Sequence, residues 1–264
     1  MQPRSWLFAP GHNEKLLGKV FDAGADVVLL DLEDAVPMQL KNNARAMVAE
    51  VAADKPCWVR INRPRTEECE RDIQALVGKV QGLRVPKVES ADDVAWVAER
   101  AAGIPLDCTI ESAKGVIAAL EIACAPACTA IAYGGVDLAL DLNIADGELE
   151  TLFARSSIVI AARAAGKPAP SDGIHTSIYD DDGLAKSALA SHRLGFFGKS
   201  AIHPRQIPII NRVFTATGEE IEWAERVLAA FEASGGAATK LPDGQFVDVP
   251  VAERARRLLS RKPE

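Results

Sequence analysis

Val27-Val-Leu-Leu-Asp31-Leu-Glu33-Asp34 decides the fold. Its first six residues are apolar at almost every position, so both faces of a strand built from them require cover. A parallel strand under helices provides that cover, whereas a half-exposed antiparallel strand would alternate apolar with polar. Working outward, seven more runs of this kind recur: Trp6 to Ala9, Trp58 to Ile61, Leu83 to Val88, Leu106 to Ile110, Ala130 to Tyr133, Pro168 to Ile174 and Phe196 to Ile202. Between them lie segments with apolar residues three and four apart, among them Glu14 to Ala23, Leu40 to Ala53, Asp92 to Ala102 and Val116 to Ala123. Eight strand–helix units in one chain of 264 residues point to an α/β fold, a (β/α)8 TIM barrel. The alternative is an open doubly wound sheet, but no Gly-x-Gly-x-x-Gly follows the first run, which argues against a dinucleotide site.

The pattern changes near residue 219. The expected domains are therefore a barrel over residues 1–218 and a C-terminal segment over 219–264. Glu219 to Ala233 reads as an amphipathic helix with Ile221, Val227, Leu228 and Phe231 on its apolar side. Ser234-Gly-Gly-Ala-Ala238 reads as a hinge, and a last helix runs from Val251 to Leu259. A hinge followed by a compact segment is the pattern of a lid.

A net charge of −7 leaves no basic footprint, which excludes nucleic acid and anionic membrane as main partners. Any phosphate-bearing ligand must meet a local cluster of cations. The five cysteines, Cys57, Cys69, Cys108, Cys124 and Cys128, are an odd number among apolar neighbours and read as reduced, mostly buried thiols. Cys124 and Cys128, four apart on an expected helix, lack the second pair that a zinc site needs. Without an apolar leader or a run near the ~20 residues that cross a bilayer, the expected compartment is the cytoplasm.

The chemistry sits where the apolar runs end, which in a barrel is the catalytic rim. Glu33 and Asp34, Arg60, Glu111 and Asp137 all occupy such positions. Glu33 and Asp34 either cap the next helix, pair with Lys41 or join the site. Two crowded carboxylates repel unless a cation lies between them. With oxygen donors only, Glu111 and Asp137 favour Mg2+ over zinc, and Arg60 offers a fork for a carboxylate or an oxyanion. Gly134 and Gly135, just before Asp137, let backbone approach a ligand closely. None of His12, His175, His192 and His203 has a partner at metal-ligand spacing, and no nucleophile elbow is present, so a hydrolase triad is unsupported. His203 is expected to order its loop rather than to transfer protons.

Arg4-Ser-Trp-Leu-Phe-Ala-Pro-Gly, Asp31-Leu-Glu-Asp-Ala-Val, Val59-Arg-Ile-Asn, Pro86-Lys-Val-Glu-Ser, Ile110-Glu-Ser and Phe197-Gly-Lys-Ser-Ala-Ile-His-Pro-Arg-Gln together resemble the citrate lyase β-subunit family. That family is part of the wider HpcH/HpaI aldolase and malyl-CoA lyase group. The resemblance runs from Arg4 to about Leu259 and implies a Mg2+-dependent barrel that breaks or forms a C–C bond between a keto acid and an acyl-thioester enolate. Carried over residue by residue, it implies Glu111 and Asp137 as metal ligands, Arg60 as the oxyanion and carboxylate arginine, and Glu33 and Asp34 as the acidic pair beside the metal. Asp248 matches a lid aspartate that transfers the enolate proton. Coenzyme A thioester is the implied substrate, with Arg4, Lys15 and Lys199 expected to hold its phosphate arm at the rim. A homo-oligomer, trimer or hexamer, is also implied. Malyl-CoA or citramalyl-CoA is the leading substrate reading. The alternatives are a citryl-acyl-carrier-protein lyase subunit and a non-catalytic barrel subunit in which Asp248 merely caps the last helix.

Overall fold

A computed structural model describes residues 2–145 and 147–259. Seven strands form one parallel sheet: β1 (Ser5–Pro10), β2 (Val27–Asp31), β3 (Trp58–Arg60), β4 (Gly82–Val85), β5 (Leu106–Ile110), β6 (Cys128–Tyr133) and β7 (Lys199–Ala201). Their order is β6-β5-β4-β3-β2-β1-β7. Every pairing is parallel, as the apolar runs required. Leu29, Leu30, Val59, Leu83, Val85, Leu106 and Ile110 are wholly buried. That is the physical meaning of a run apolar on both faces: one face fills the curl of the sheet and the other packs under helices. The run expected from Pro168 to Ile174 does not form a ladder strand. Ser171 makes one parallel bridge to Ala132 of β6 and Asp172 one to Lys199 of β7, so this segment touches both edge strands of the sheet.

Helices follow the strands in the expected places. Those that matter for the site are α1 (Glu14–Lys19), α2 (Lys41–Asp54), α3 (Glu67–Leu76), α4 (Ala91–Arg100), α5 (Ala113–Ile117), α6 (Ala119–Cys124) and α7 (Gly135–Leu142). Side-chain caps by Asn13, Thr66, Ser90 and Ser112 satisfy amide groups at the starts of α1, α3, α4 and α5. The expected single helix over Val116 to Ala123 is split at Ala118 into α5 and α6. Cys128 opens β6 instead of sharing a helix with Cys124. Four of the five cysteines are buried and all are free thiols.

The chain divides into two compact units, and the second begins at Arg212, earlier than the boundary expected at 218/219. It contains α11 (Gly218–Ala233), a two-stranded antiparallel pair, β8 (Thr239–Lys240) with β9 (Phe246–Val247), and α12 (Val249–Leu259). Between α7 and α11 lie α8 (Leu152–Ala164), α9 (Asp181–Leu194) and α10 (Ile207–Phe214). Its own core is Ala224, Val227, Phe231, Leu241, Val247, Ala252 and Ala255. The expected hinge is an ordered turn: Gly235 and Gly236 take positive φ of 66° and 83°, and the Ser234 hydroxyl donates to Phe231 O and Ala237 O. Among the described residues no helix is long and apolar enough to cross a membrane.

Candidate active site

The carboxyl ends of β2 to β6 surround a cavity of about 340 Å³ lined by Asp31, Arg60, Arg84, Thr109, Glu111, Gly134, Gly135 and Asp137, with Phe8, Val136, Ile174 and Ile202 among its apolar walls. That volume suits a small organic ligand. Asp31 ends β2 and Arg60 ends β3, and the parallel register pairs them directly. Arg60 Nε and Nη2 donate to the two Asp31 oxygens at 2.8 and 2.7 Å. Its Nη1 lies 3.0 Å from Glu33 Oε2, and the guanidinium stacks over Phe8 at 4.9 Å. Asp31 also accepts the backbone N–H groups of Glu33 and Ala35, so it shapes the loop that carries Glu33 and Asp34. Burial pushes the Asp31 carboxyl up, but the Arg60 guanidinium and those two amides outweigh it and hold the group below its ordinary range.

Lys87, two residues beyond β4, ties the acidic groups together. Its ammonium donates to Glu33 Oε1 at 2.6 Å and Asp34 Oδ2 at 2.8 Å, while its backbone N–H donates to Glu111 Oε1 at 2.6 Å. The amide is aimed by a left-handed backbone, φ 53°. This is an uncommon conformation for a residue with a Cβ, and here it coincides with the site. The acidic pair neither caps the next helix nor pairs with Lys41. The amino end of α2 receives no side-chain cap, and the Lys41 ammonium bonds Leu32 O, Glu33 O and Asn62 Oδ1 instead of the two carboxylates.

Glu111 follows β5 and is 5% exposed. On its other side lies Gly134, where a Cβ would collide with the Glu111 carboxylate, so glycine is required at 134 by close approach. Burial, then the neighbouring charges of Glu33 and Asp137, push the Glu111 carboxyl up to about 8. Burial also raises Glu33, an effect that Arg60 and Lys87 offset only in part. A carboxyl so perturbed in a cleft marks a candidate functional site. Asp137, in the first turn of α7, lines the same cavity. Among the described residues no group of three or more His, Cys, Asp or Glu is arranged to hold a metal, so a metal here would take two protein carboxylates and draw its other ligands from water or substrate.

Arg60, Glu33, Asp34, Glu111, Gly134, Gly135 and Asp137 thus converge on or beside one cavity. Three expected residues do not behave alike. Lys15 is exposed in the first turn of α1, just past the carboxyl end of β1. Arg4 precedes β1 and is paired with Asp26, at the opposite end of the strand from the site. Lys199 is the first residue of β7, is 2% exposed and is paired with the buried Asp172. The expectation that Arg4 and Lys199 lie at the rim is therefore corrected: strand ends come in two kinds, and these are amino ends. Asp248, in the second unit, accepts the Val251 N–H at 3.1 Å and so caps the last helix. His203 Nδ1 accepts the Arg205 N–H and orders its turn. Asp31 and Lys87 were missed as site residues. The available signal was an acid ending an otherwise apolar run, and a lysine directly after the proline that follows β4.

Residues 4–204 match the family described as HpcH/HpaI aldolase/citrate lyase, and residues 152–260 match a C–C bond lyase family of the TIM-barrel fold. The citrate lyase subunit beta of Leuconostoc mesenteroides subsp. cremoris is 37% identical, covering 97% of this chain and 92% of its own length. A (3S)-malyl-CoA thioesterase of Cereibacter sphaeroides is 35% identical over 98% of this chain and 94% of its own. The crystal structure of the protein CitE from Mycobacterium tuberculosis, in complex with magnesium, acetoacetate and coenzyme A, superposes with a TM-score of 0.85 at 34% identity, covering 99% of this chain and 98% of that one. The chain belongs to the HpcH/HpaI aldolase/citrate lyase family and is a carbon–carbon lyase of that kind.

Proposed function

We propose that the protein cleaves or forms a 3-hydroxyacyl-CoA, of the malyl-CoA or citramalyl-CoA type, at the cavity that Arg60, Glu111 and Asp137 share. The observation that carries this reading is the pairing of one arginine fork with a buried, under-compensated carboxylate on the same wall. The site fits Mg2+ on its own chemistry: its donors are oxygens, and Glu111 is pushed up by burial and by the charges of Glu33 and Asp137 beyond what Arg60 offsets. Glu111 and Asp137 would hold the ion, which when bound supplies Lewis-acid polarisation of the substrate oxygens. Arg60, anchored on Asp31 through Nε and Nη2, meets the alkoxide or keto-acid oxygens with its remaining guanidinium N–H groups, an arrangement that a lysine cannot reproduce. Lys87, shared between Glu33 and Asp34, reduces the repulsion that the acidic rim would exert on an anionic substrate. Lys15 is the one expected phosphate-arm cation that lies exposed beyond a carboxyl end.

The proton returned to the thioester enolate carbon comes, in this proposal, from Asp248. The support is the likeness of Gly244-Gln-Phe-Val-Asp-Val-Pro to the family's lid, and the cap that Asp248 makes on α12 is the competing role. We further infer that the 168–174 segment completes an eight-unit barrel, supported by its single bridges to both sheet edges. The 219–264 segment serving as a lid, a homo-oligomeric state and a cytoplasmic location complete the proposal.

The test is a panel of keto acids with acetyl-CoA or propionyl-CoA and Mg2+, with products read by mass. Condensation without any carrier protein is expected. Turnover only after a thioester-loaded acyl carrier protein is added would favour the citrate lyase subunit reading, and no product from either would leave the non-catalytic barrel.

A further inference from the structure

We propose that Lys41 is a positioning residue: it turns the Leu32–Glu33 backbone so that the Glu33 carboxylate stands against Arg60 and Lys87, and through Asn62 it locks the loop after β2 to the loop after β3. This goes beyond the lyase reading above and rests on it only for what an activity assay measures. Lys41 is the first residue of α2, the end at which the helix dipole opposes a cation, and it is 7% exposed. Burial pulls its ammonium below the ordinary lysine range, and the charges of Asp72, Asp31, Glu33 and Asp34 offset that only in part. Neither placement stabilises the helix, so the role of the lysine lies in what it holds. Its three N–H groups all go to neutral oxygens: Leu32 O at 2.7 Å, Glu33 O at 2.9 Å and Asn62 Oδ1 at 2.6 Å.

The Leu32 N–H bonds Arg60 O at 2.9 Å, which carries the β2–β3 pairing one residue past the end of β2. Beyond it, side chains take over. The Leu32–Glu33 peptide is planar, so holding both its ends sets its plane. Its N–H donates to Asp31 Oδ1 at 2.9 Å, and its carbonyl accepts from Lys41 Nζ and, at 3.0 Å, from Asn62 Nδ2. Lys41 holds the next carbonyl, Glu33 O, as well. With the peptides on both sides of Glu33 held, its carboxylate meets Arg60 Nη1 at 3.0 Å and Lys87 Nζ at 2.6 Å. Asn62, two residues after Arg60, is itself fixed. Its N–H and Nδ2 donate to Asp72 Oδ2 at 2.9 and 2.6 Å, and Asp72 Oδ1 accepts Arg45 Nε at 2.8 Å. One buried chain of bonds therefore runs from α2 and α3 to the two loops whose relation sets the distance between Glu33 and Arg60.

The experiment is a cycle of Lys41→Met and Glu33→Gln, singly and together, in the full-length protein, with a crystal structure of Lys41→Met. It reads kcat and KM with Mg2+ for the keto acid and acyl-CoA pair that the parent protein turns over fastest. Lys41→Met is expected to lower kcat about tenfold or more with KM held within about twofold. On the Glu33→Gln background the same change is expected to cost about twofold or less, because the group it positions is already gone. The crystal structure is expected to show the Glu33 carboxylate out of hydrogen-bond distance of Arg60. A lysine that only supports the fold would give the same kcat loss on both backgrounds. That result, or Glu33 still bonded to Arg60 in Lys41→Met, overturns the proposal. A parent protein that turns over no pair removes the lyase reading instead, and the Lys41→Met structure alone then decides the positioning. If Lys41→Met does not fold, Asn62→Ala removes the Nδ2 bond to Leu32 O and leaves the ammonium in place. It goes through the same cycle and the same crystallography, with a loss of about fivefold expected on the parent background and none on Glu33→Gln.

Discussion

Two arginine–aspartate pairs stand on neighbouring strands and differ in how completely they are closed. Arg84 and Asp107 are 3% and 2% exposed in their side chains, and two serines take up further Arg84 donors. Arg60 reaches both Asp31 oxygens where Arg84 brings two nitrogens to Asp107 Oδ2 alone, and the Arg60 side chain is 17% exposed, faces a second carboxylate in Glu33, and stands beside a Glu111 whose carboxyl it only partly compensates. The closed pair is built to hold the interior of the sheet together. The open pair, with its surplus of negative charge, is built to receive something. The difference lies chiefly in the neighbours, since both are arginine–aspartate pairs across adjacent parallel strands.

The largest effect expected from breaking this comparison falls on the closed pair. Arg84→Met leaves Asp107 buried without its partner and should cost about 3–5 kcal/mol of stability, read from urea denaturation. Arg60→Lys should barely move the denaturation midpoint yet reduce kcat/KM by about two orders of magnitude, roughly 3 kcal/mol, because a guanidinium donor anchored on Asp31 and aimed at the developing oxyanion is lost. If Arg60→Lys unfolds the protein as readily as Arg84→Met does, the distinction between a structural and a receptive pair fails.

Gly134→Ala sharpens the same contrast from the other wall. Its methyl group displaces the Glu111 carboxylate, and Mg2+ affinity measured by calorimetry should fall about tenfold or more with the fold retained. Unchanged affinity would show that Glu111 is not held where Lys87 and Gly134 confine it.

A smaller effect follows from the Glu111 carboxyl itself. The folded chain keeps its proton to about pH 8, whereas the unfolded chain loses it near the ordinary 4.5. Between those values the folded state binds the extra proton, so this group's contribution to stability falls as pH rises and levels off above 8. Metal-free Glu111→Gln should therefore gain thermal stability over the parent protein progressively from pH 5 to 8. Proton competition should also make Mg2+ affinity climb with pH and flatten above about 8. A difference in melting temperature that does not change with pH contradicts the raised carboxyl.

Much of this was legible in the chain because burial on both faces leaves an unmistakable mark. Val27-Val-Leu-Leu, Leu106 to Ile110 and their equivalents became strands, and the charged residues after them became the rim. Pro168 to Ile174 was expected as a strand yet makes only single bridges; it reads Pro-Ala-Pro-Ser-Asp-Gly-Ile, and its two prolines have no N–H to give a ladder. Asp31 and Lys87 stayed hidden for different reasons. Asp31 acts through a register partner 29 positions away, and Lys87 acts partly through a backbone amide whose left-handed geometry no side-chain pattern announces. Arg4 and Lys199 were misplaced because a charged residue beside an apolar run does not say which end of the strand it occupies.

The central claim is that one cavity, bounded by Arg60, Glu111 and Asp137, carries the carbon–carbon chemistry. Its most direct test is the double variant Glu111→Gln with Asp137→Asn, incubated with acetyl-CoA, pyruvate and Mg2+ beside the parent protein, with the condensation product read by mass and the fold by circular dichroism. The account predicts a folded variant with no detectable product while the parent forms it in a Mg2+-dependent way. Product at the parent's rate from the folded double variant would contradict it.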